Sequence, residues 1–220
     1  MRIANVALLS LVPAVLCAQA DPDRTVAGGG TFPAGWHVRT EIARQTGQPA
    51  PLANVKFSTM GDGMHVTVGP AAIYWRDADT ASGSYHVVAK ITQMQNPAHP
   101  ESYGIIIGGR GLADSTQSYT YFLVRAVDGM YSVRRRSGYT TRPTAVVEWT
   151  ASPAVIKSDS TGKATNELSI LVQGGRVRFM MNGTEVYAAD AATVDTKGVV
   201  GYRVNHNLDV HLGPLGIHPL

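Results

Sequence analysis

Arg176-Val177-Arg178-Phe179-Met180-Met181-Asn182-Gly183-Thr184-Glu185-Val186 decides the fold class. Val177, Phe179 and Met181 alternate with Arg176 and Arg178, a period of two that suits a strand with one buried side. Asn182 and Gly183 both tolerate the positive φ of a two-residue turn, so the strand turns back on itself as a hairpin.

The same alternation spreads outward from that hairpin. It predicts strands over 56–60, 64–68, 73–76, 85–92, 103–109, 119–127, 130–136, 145–150, 167–173, 176–181, 199–204 and 208–217, about twelve in all, each bounded by Gly, Pro or Asp turns. Asp128-Gly129 marks a second hairpin. No window longer than a turn or two carries a helical period, and no segment repeats at fixed spacing, which disfavours propellers and solenoids. The expected fold is all-β: an antiparallel two-sheet β-sandwich of the jelly-roll kind, its buried side aliphatic and aromatic.

Bulk properties agree. In 220 residues, 23 Gly and 12 Pro are too many breakers for a helical protein, while 44% hydrophobic and 16% charged residues are too apolar a mixture for a disordered one. A net charge of +3 does not by itself imply nucleic acid.

Residues 1–20 have the layout of a secretory leader, with Arg2, an apolar stretch over 3–16 and Ala18-Gln19-Ala20 as the cleavage signal. That stretch is too short to span a membrane. Cys17 raises lipidation, but Leu16 stands before it where a small residue is expected. Cleavage after Ala20 removes the single cysteine and leaves no thiol for disulfides or metal thiolates. Residues 21–50 read as a Gly- and Pro-rich lead-in with at most one short strand, residues 51–220 as one domain, and the destination as periplasmic or extracellular.

Six segments recur in a familiar order: Tyr103-Gly104-Ile105-Ile106, Tyr121-Phe122-Leu123-Val124-Arg125, Gly129 to Arg135, Asn166-Glu167-Leu168, Arg178 to Val186, and Gly198-Val199-Val200-Gly201-Tyr202. That order resembles the concanavalin A-like lectin and glucanase superfamily, especially its laminin-G-like branch and the bacterial 3-keto-disaccharide hydrolase domains. The resemblance implies a sandwich that binds sugars or, in some members, cleaves glycosides. It also implies calcium as the metal to look for, with Asp209 as a candidate ligand. The shared motifs are scaffold motifs and specify no reaction.

Glycoside cleavage needs two facing carboxyl groups. The Glu-x-Asp-x-x-Glu string of the glucanase branch is absent, and Glu148 is the one acid in a strand centre, hence the sole candidate general acid or base. The seven histidines show no helical metal-ligand spacing, no Gly-x-Ser-x-Gly elbow occurs, and Gly108-Gly109-Arg110-Gly111 lacks the Lys and Ser or Thr of a phosphate loop.

Arg134-Arg135-Arg136, with Arg125 and Arg142, is the most unusual local feature. Alternation sends Arg134 and Arg136 one way and Arg135 the other. One reading is a solvated sheet edge; the other is a groove where guanidinium groups bind sugar hydroxyls, uronate carboxylates or sulfates while Tyr121, Tyr131 or Trp149 stacks on a ring. The wet-face ligand-binding candidates are Arg125, Arg135, Tyr121, His86 and Lys90. Trp36 and Trp75 read as core residues. Three functions stay open: a non-catalytic glycan-binding domain for a neutral or anionic sugar, a glycosidase or lyase built on Glu148, and a structural or protein-interaction sandwich with no small ligand.

Overall fold

The computed structural model describes residues 23–43 and 46–220; the expected leader, with Cys17, lies outside the described residues. Among those described there are fifteen strands and two short 3-10 turns. The strands are β1 (His37–Thr40), β2 (Val55–Met60), β3 (Gly63–Val68), β4 (Ala72–Ala81), β5 (Tyr85–Gln93), β6 (Tyr103–Arg110), β7 (Ser118–Arg125) and β8 (Met130–Ser137). They continue with β9 (Thr144–Ala151), β10 (Ala164–Gln173), β11 (Arg176–Met181), β12 (Thr184–Asp190), β13 (Gly198–Val204), β14 (Asp209–Leu212) and β15 (Gly216–Pro219). No helix among the described residues is long and apolar enough to cross a membrane.

Two antiparallel sheets form. One has seven strands in the order β1-β4-β13-β6-β7-β8-β9; the other has eight, in the order β12-β11-β10-β5-β14-β3-β2, with β15 also on β5. Between them lies the main core, to which β7 gives Phe122 and Val124, β10 Leu168 and Ile170, and β11 Val177, Phe179 and Met181. Phe122 meets Phe179 across the two sheets edge-on, with ring centroids 5.5 Å apart. Full burial of each such side chain contributes about 1.5–3 kcal/mol.

The chain departs from the sequence expectation in four places, the first being β12, which lies outside all twelve expected ranges. The 208–217 segment is two strands, because Gly213 and Pro214 interrupt it between β14 and β15. The strand expected over 73–76 runs on to Ala81 as β4. Finally, the lead-in is built into the sandwich. His37–Thr40 is the edge strand of the seven-stranded sheet, paired with β4 from His37↔Trp75 to Thr40↔Ala72, and the Arg24 guanidinium donates to the Val68 and Leu208 carbonyls at 3.1 and 2.6 Å.

The β11–β12 hairpin turns at Asn182 and Gly183, with φ of 52° and 79°. Asn182 does more than turn: its side-chain oxygen accepts from Glu167 N, and its amide donates to the Ala154 carbonyl and to Asn166 Oδ1, at 2.7–2.8 Å. Asn182→Ala should therefore cost about 2–3 kcal/mol in urea denaturation, combining left-handed strain with partners left unpaired. Asn182→Gly removes only the side-chain bonds and should recover about 1 kcal/mol of that; equal losses would place the whole effect in the side chain.

Candidate functional site

The central strands β6, β7 and β13 of the seven-stranded sheet are buried on both faces. Two register rows point away from the main core: Arg39, Ile73, Arg203, Gly104, Leu123 and Ser132 in one, and His37, Trp75, Gly201, Ile106, Tyr121 and Arg134 in the next. Their apolar members form a second cluster of Ile73, Trp75, Ile106, Leu112, Tyr119, Tyr121 and Leu123, with Trp149 and Val199 packed on it. Gly201 is required in this floor, because a Cβ there would lie 2.3 Å from the Tyr74 carbonyl oxygen and force β4 and β13 apart beside Trp75.

Segments from opposite sides of the sheet meet above this face. The Tyr139 hydroxyl, just past β8, donates to the Thr40 carbonyl at 2.8 Å, and the Arg39 guanidinium lies 3.8 Å above the Tyr139 ring. Arg136 on β8 donates to the Tyr139 and Thr141 carbonyls and pairs with Glu41, which directly follows β1. Arg203 on β13 donates to the same Glu41 oxygen at 2.6 Å and to the Tyr119 hydroxyl at 3.3 Å. Burial alone would raise the Glu41 carboxyl, but the Arg203 and Arg136 guanidinium groups outweigh it and hold the group down to about 2. Burial pushes the Tyr121 hydroxyl up to about 12 against the opposing pull of Arg203.

Beside this bridge is a cavity of about 380 Å³, lined by His37, Arg39, Pro49, Trp75, Ala113 and Tyr139 among others. That volume falls in the range that takes a small ligand. The His37 ring stacks on Trp75 with centroids 5.2 Å apart. Asp77 holds both rings, accepting from the Trp75 indole N–H at 3.2 Å and lying 3.1 Å from His37 Nε2. Two aromatic rings, an imidazole and a guanidinium around one hollow offer flat apolar faces together with fixed hydrogen-bond groups.

The five wet-face candidates do not converge. Tyr121 and Arg125 share the outer face of the seven-stranded sheet, but Tyr121 is only 3% exposed, so it is floor rather than wet surface. Arg125 is tied to Asp128 at 2.6 Å and lies 4.4 Å from the Trp149 ring centroid, with Arg134 at 5.7 Å from the same ring. Arg135 points to the other side of β8 and pairs with Asp195 at 2.7 Å. His86 and Lys90 belong to β5 in the eight-stranded sheet, where His86 stacks on His218. Each of the arginines 125, 134, 135 and 136 has a carboxylate partner, namely Asp128, Glu148, Asp195 and Glu41. Glu148, the catalytic candidate, has an 80% exposed side chain whose partner is Arg134 at 3.3 Å.

Asp209 does not fit a calcium site. Its Oδ1 lies 2.9 Å from the His65 imidazole, a poor neighbour for a hard cation that takes six to eight oxygens, and no metal-holding group of three or more His, Cys, Asp or Glu exists among the described residues.

The sequence does not single out His37, Arg39, Tyr139, Glu41 or Arg203, and Trp75 reads from it as a core residue, which its 4% exposure matches. His37, Arg39 and Glu41 sit in the segment read as a lead-in, where His-Val-Arg-Thr alternation was the available signal.

No family model matches the chain, and no curated protein matches it. Solved structures do. The carbohydrate-binding module CBM66 from Bacillus subtilis is 11% identical, with a TM-score of 0.58 over 89% of this chain and 99% of that one. A Bacillus subtilis protein of unknown function with a galectin-like fold is 13% identical, with a TM-score of 0.59 over 83% and 88%. A glycoside hydrolase family 16 endo-glucanase from Bacteroides ovatus is 7% identical, with a TM-score of 0.56 over 83% and 94%. The shared property is the fold, two antiparallel sheets packed as a β-sandwich.

Proposed function

We propose that this concanavalin A-like jelly roll is an exported glycan-binding domain whose ligand lies on the outer face of the seven-stranded sheet, over Trp75. The observation that carries the proposal is the cavity where His37, Arg39, Trp75 and Tyr139 converge. A sugar presents an axial C–H face to a ring and hydroxyl groups to planar donors; here the exposed ring is His37, stacked on the 4% exposed Trp75, and the donor is the Arg39 guanidinium. The similarity to a carbohydrate-binding module supports the same reading. Export rests on the leader-like residues 1–20.

The test is titration calorimetry of the mature chain against a panel of neutral and uronic oligosaccharides. Arg39→Ala and His37→Ala should each weaken binding about tenfold, or about 1.4 kcal/mol, without changing stability by more than about 1 kcal/mol. His86→Ala and Lys90→Ala, on the eight-stranded sheet, should leave affinity within twofold. Loss of binding in the second pair with none in the first would place the site on the wrong sheet. Failure of every panel member to bind would leave a structural sandwich.

A further inference from the structure

The cluster at the centre of the bridge contains two buried guanidinium groups and one carboxylate. Arg136 and Arg203 have 7% and 5% exposed side chains, whereas Glu41 is 28% exposed. The carboxylate is thus the part that faces solvent, and it lies over the cations. Both arginines reach the same Glu41 oxygen, Oε1. Arg136 Nε is buried and has no hydrogen-bond partner. The two guanidinium groups share one carboxylate oxygen above Tyr119 and Tyr121, with Glu101 the further acid whose field reaches Arg203, in a setting where a buried charge is costly unless matched.

We propose that Glu41 is a built-in occupant of a carboxylate site, and that the ligand of this face is an acidic saccharide whose uronate group takes its place between Arg136 and Arg203. The inference rests on the glycan-binding reading of the same face and names its ligand class. On the same face Arg125 and Arg134 each have an acid of their own, while Arg39 lies over the Tyr139 ring at the neighbouring cavity. A planar guanidinium pair recognises a carboxylate through several parallel N–H bonds. Because the site is already filled from within, the unmodified chain binds a uronate more weakly than the bare arginine pair does. Withdrawal of Glu41 is the step that admits the ligand.

The experiment compares the unmodified chain with Glu41→Ala and Glu41→Gln. Each is melted and titrated with sodium acetate, sodium galacturonate, N-acetylglutamate and methyl galactoside at ionic strength held constant with sodium chloride. Glu41→Ala should gain several degrees of Tm with acetate and more with galacturonate, at concentrations at least tenfold below those that affect the unmodified chain. Methyl galactoside should have no such effect. Glu41→Gln fills the gap without the charge and should bind galacturonate at least threefold more tightly than the unmodified chain, which provides a test if the alanine variant does not fold. Adding Arg203→Met to either variant should abolish the gain.

Equal responses to galacturonate and chloride, or equal responses in variant and unmodified chain, would overturn the proposal. A gain from N-acetylglutamate as large as that from galacturonate would overturn the saccharide part. Neutral oligosaccharides binding over Trp75 while galacturonate does nothing for either variant would refute the carboxylate site and leave the glycan-binding reading standing.

Discussion

Glu41→Ala should be among the most destabilising single changes in the chain, at about 3 kcal/mol, because it leaves Arg136 and Arg203 buried with no carboxylate between them. The same energy has a pH signature. The Glu41 carboxyl is held at about 2 in the folded protein against an ordinary value of 4.5, with Arg203 and Arg136 overcoming burial and His206 adding to their effect. A depressed carboxyl contributes stability that is complete above its unfolded value and is lost as pH falls toward the folded one. The loss should therefore run from about pH 4.5 down to about pH 2 and amount to about 3 kcal/mol for a shift of this size. Urea denaturation at a series of pH values checks it: the unmodified chain should lose stability through that window, and Glu41→Gln should lose correspondingly less. Parallel curves for the two proteins would show that Glu41 is not the group responsible.

Trp75→Ala should act on both stability and binding. Trp75 is 4% exposed in the second apolar cluster, and its indole also carries the His37 stack and the Asp77 hydrogen bond. Removing it should cost about 3 kcal/mol of stability, or roughly 6–12 °C in Tm for a domain of this size. It should also weaken glycan binding by roughly tenfold or more, because it removes the ring on which His37 is stacked. Trp75→Phe separates the two: it keeps an aromatic floor but loses the indole N–H, so most of the stability should return while binding stays several-fold weaker. Full binding by Trp75→Ala at a temperature where it is folded would remove Trp75 from the site.

The hairpin at Asn182-Gly183 was legible because its signals are local. Alternating Val177, Phe179 and Met181 and two residues that accept positive φ lie within eight positions, and the structure pairs Met181 with Thr184 around them. The alternation rule also separated Arg135 from Arg134 and Arg136, which the register places on opposite sides of β8. It could not rank the faces of β7, because Phe122 and Tyr121 are both buried, one between the sheets and one beneath the bridge.

The sheet to which a strand belongs is not written in its own residues. His86 and Lys90 alternate as wet-face residues should, but β5 pairs with β10, β14 and β15, far from Arg125 in strand order. The site itself was the least legible part. Glu41 and Arg203 are 162 positions apart and meet only when β1 closes the edge of the sheet and the segment after it folds over the face. Composition-based reading set the first of them aside with the lead-in, since Gly- and Pro-rich sequence gives no period to follow.

The chain has three tryptophans, and their indole N–H resonances report on three different places. Trp75 floors the cavity, Trp149 is half-buried on the same face beside Arg125, and Trp36 packs on Phe57 against the main core. The most direct test of a glycan site on this face is a ¹⁵N-correlated NMR titration with the tightest-binding oligosaccharide of the panel. The Trp75 signal should shift progressively to saturation, with a smaller change at Trp149 and none at Trp36. Saturation with Trp75 unmoved, or with the shifts confined to β5 around His86 and Lys90, would contradict the account.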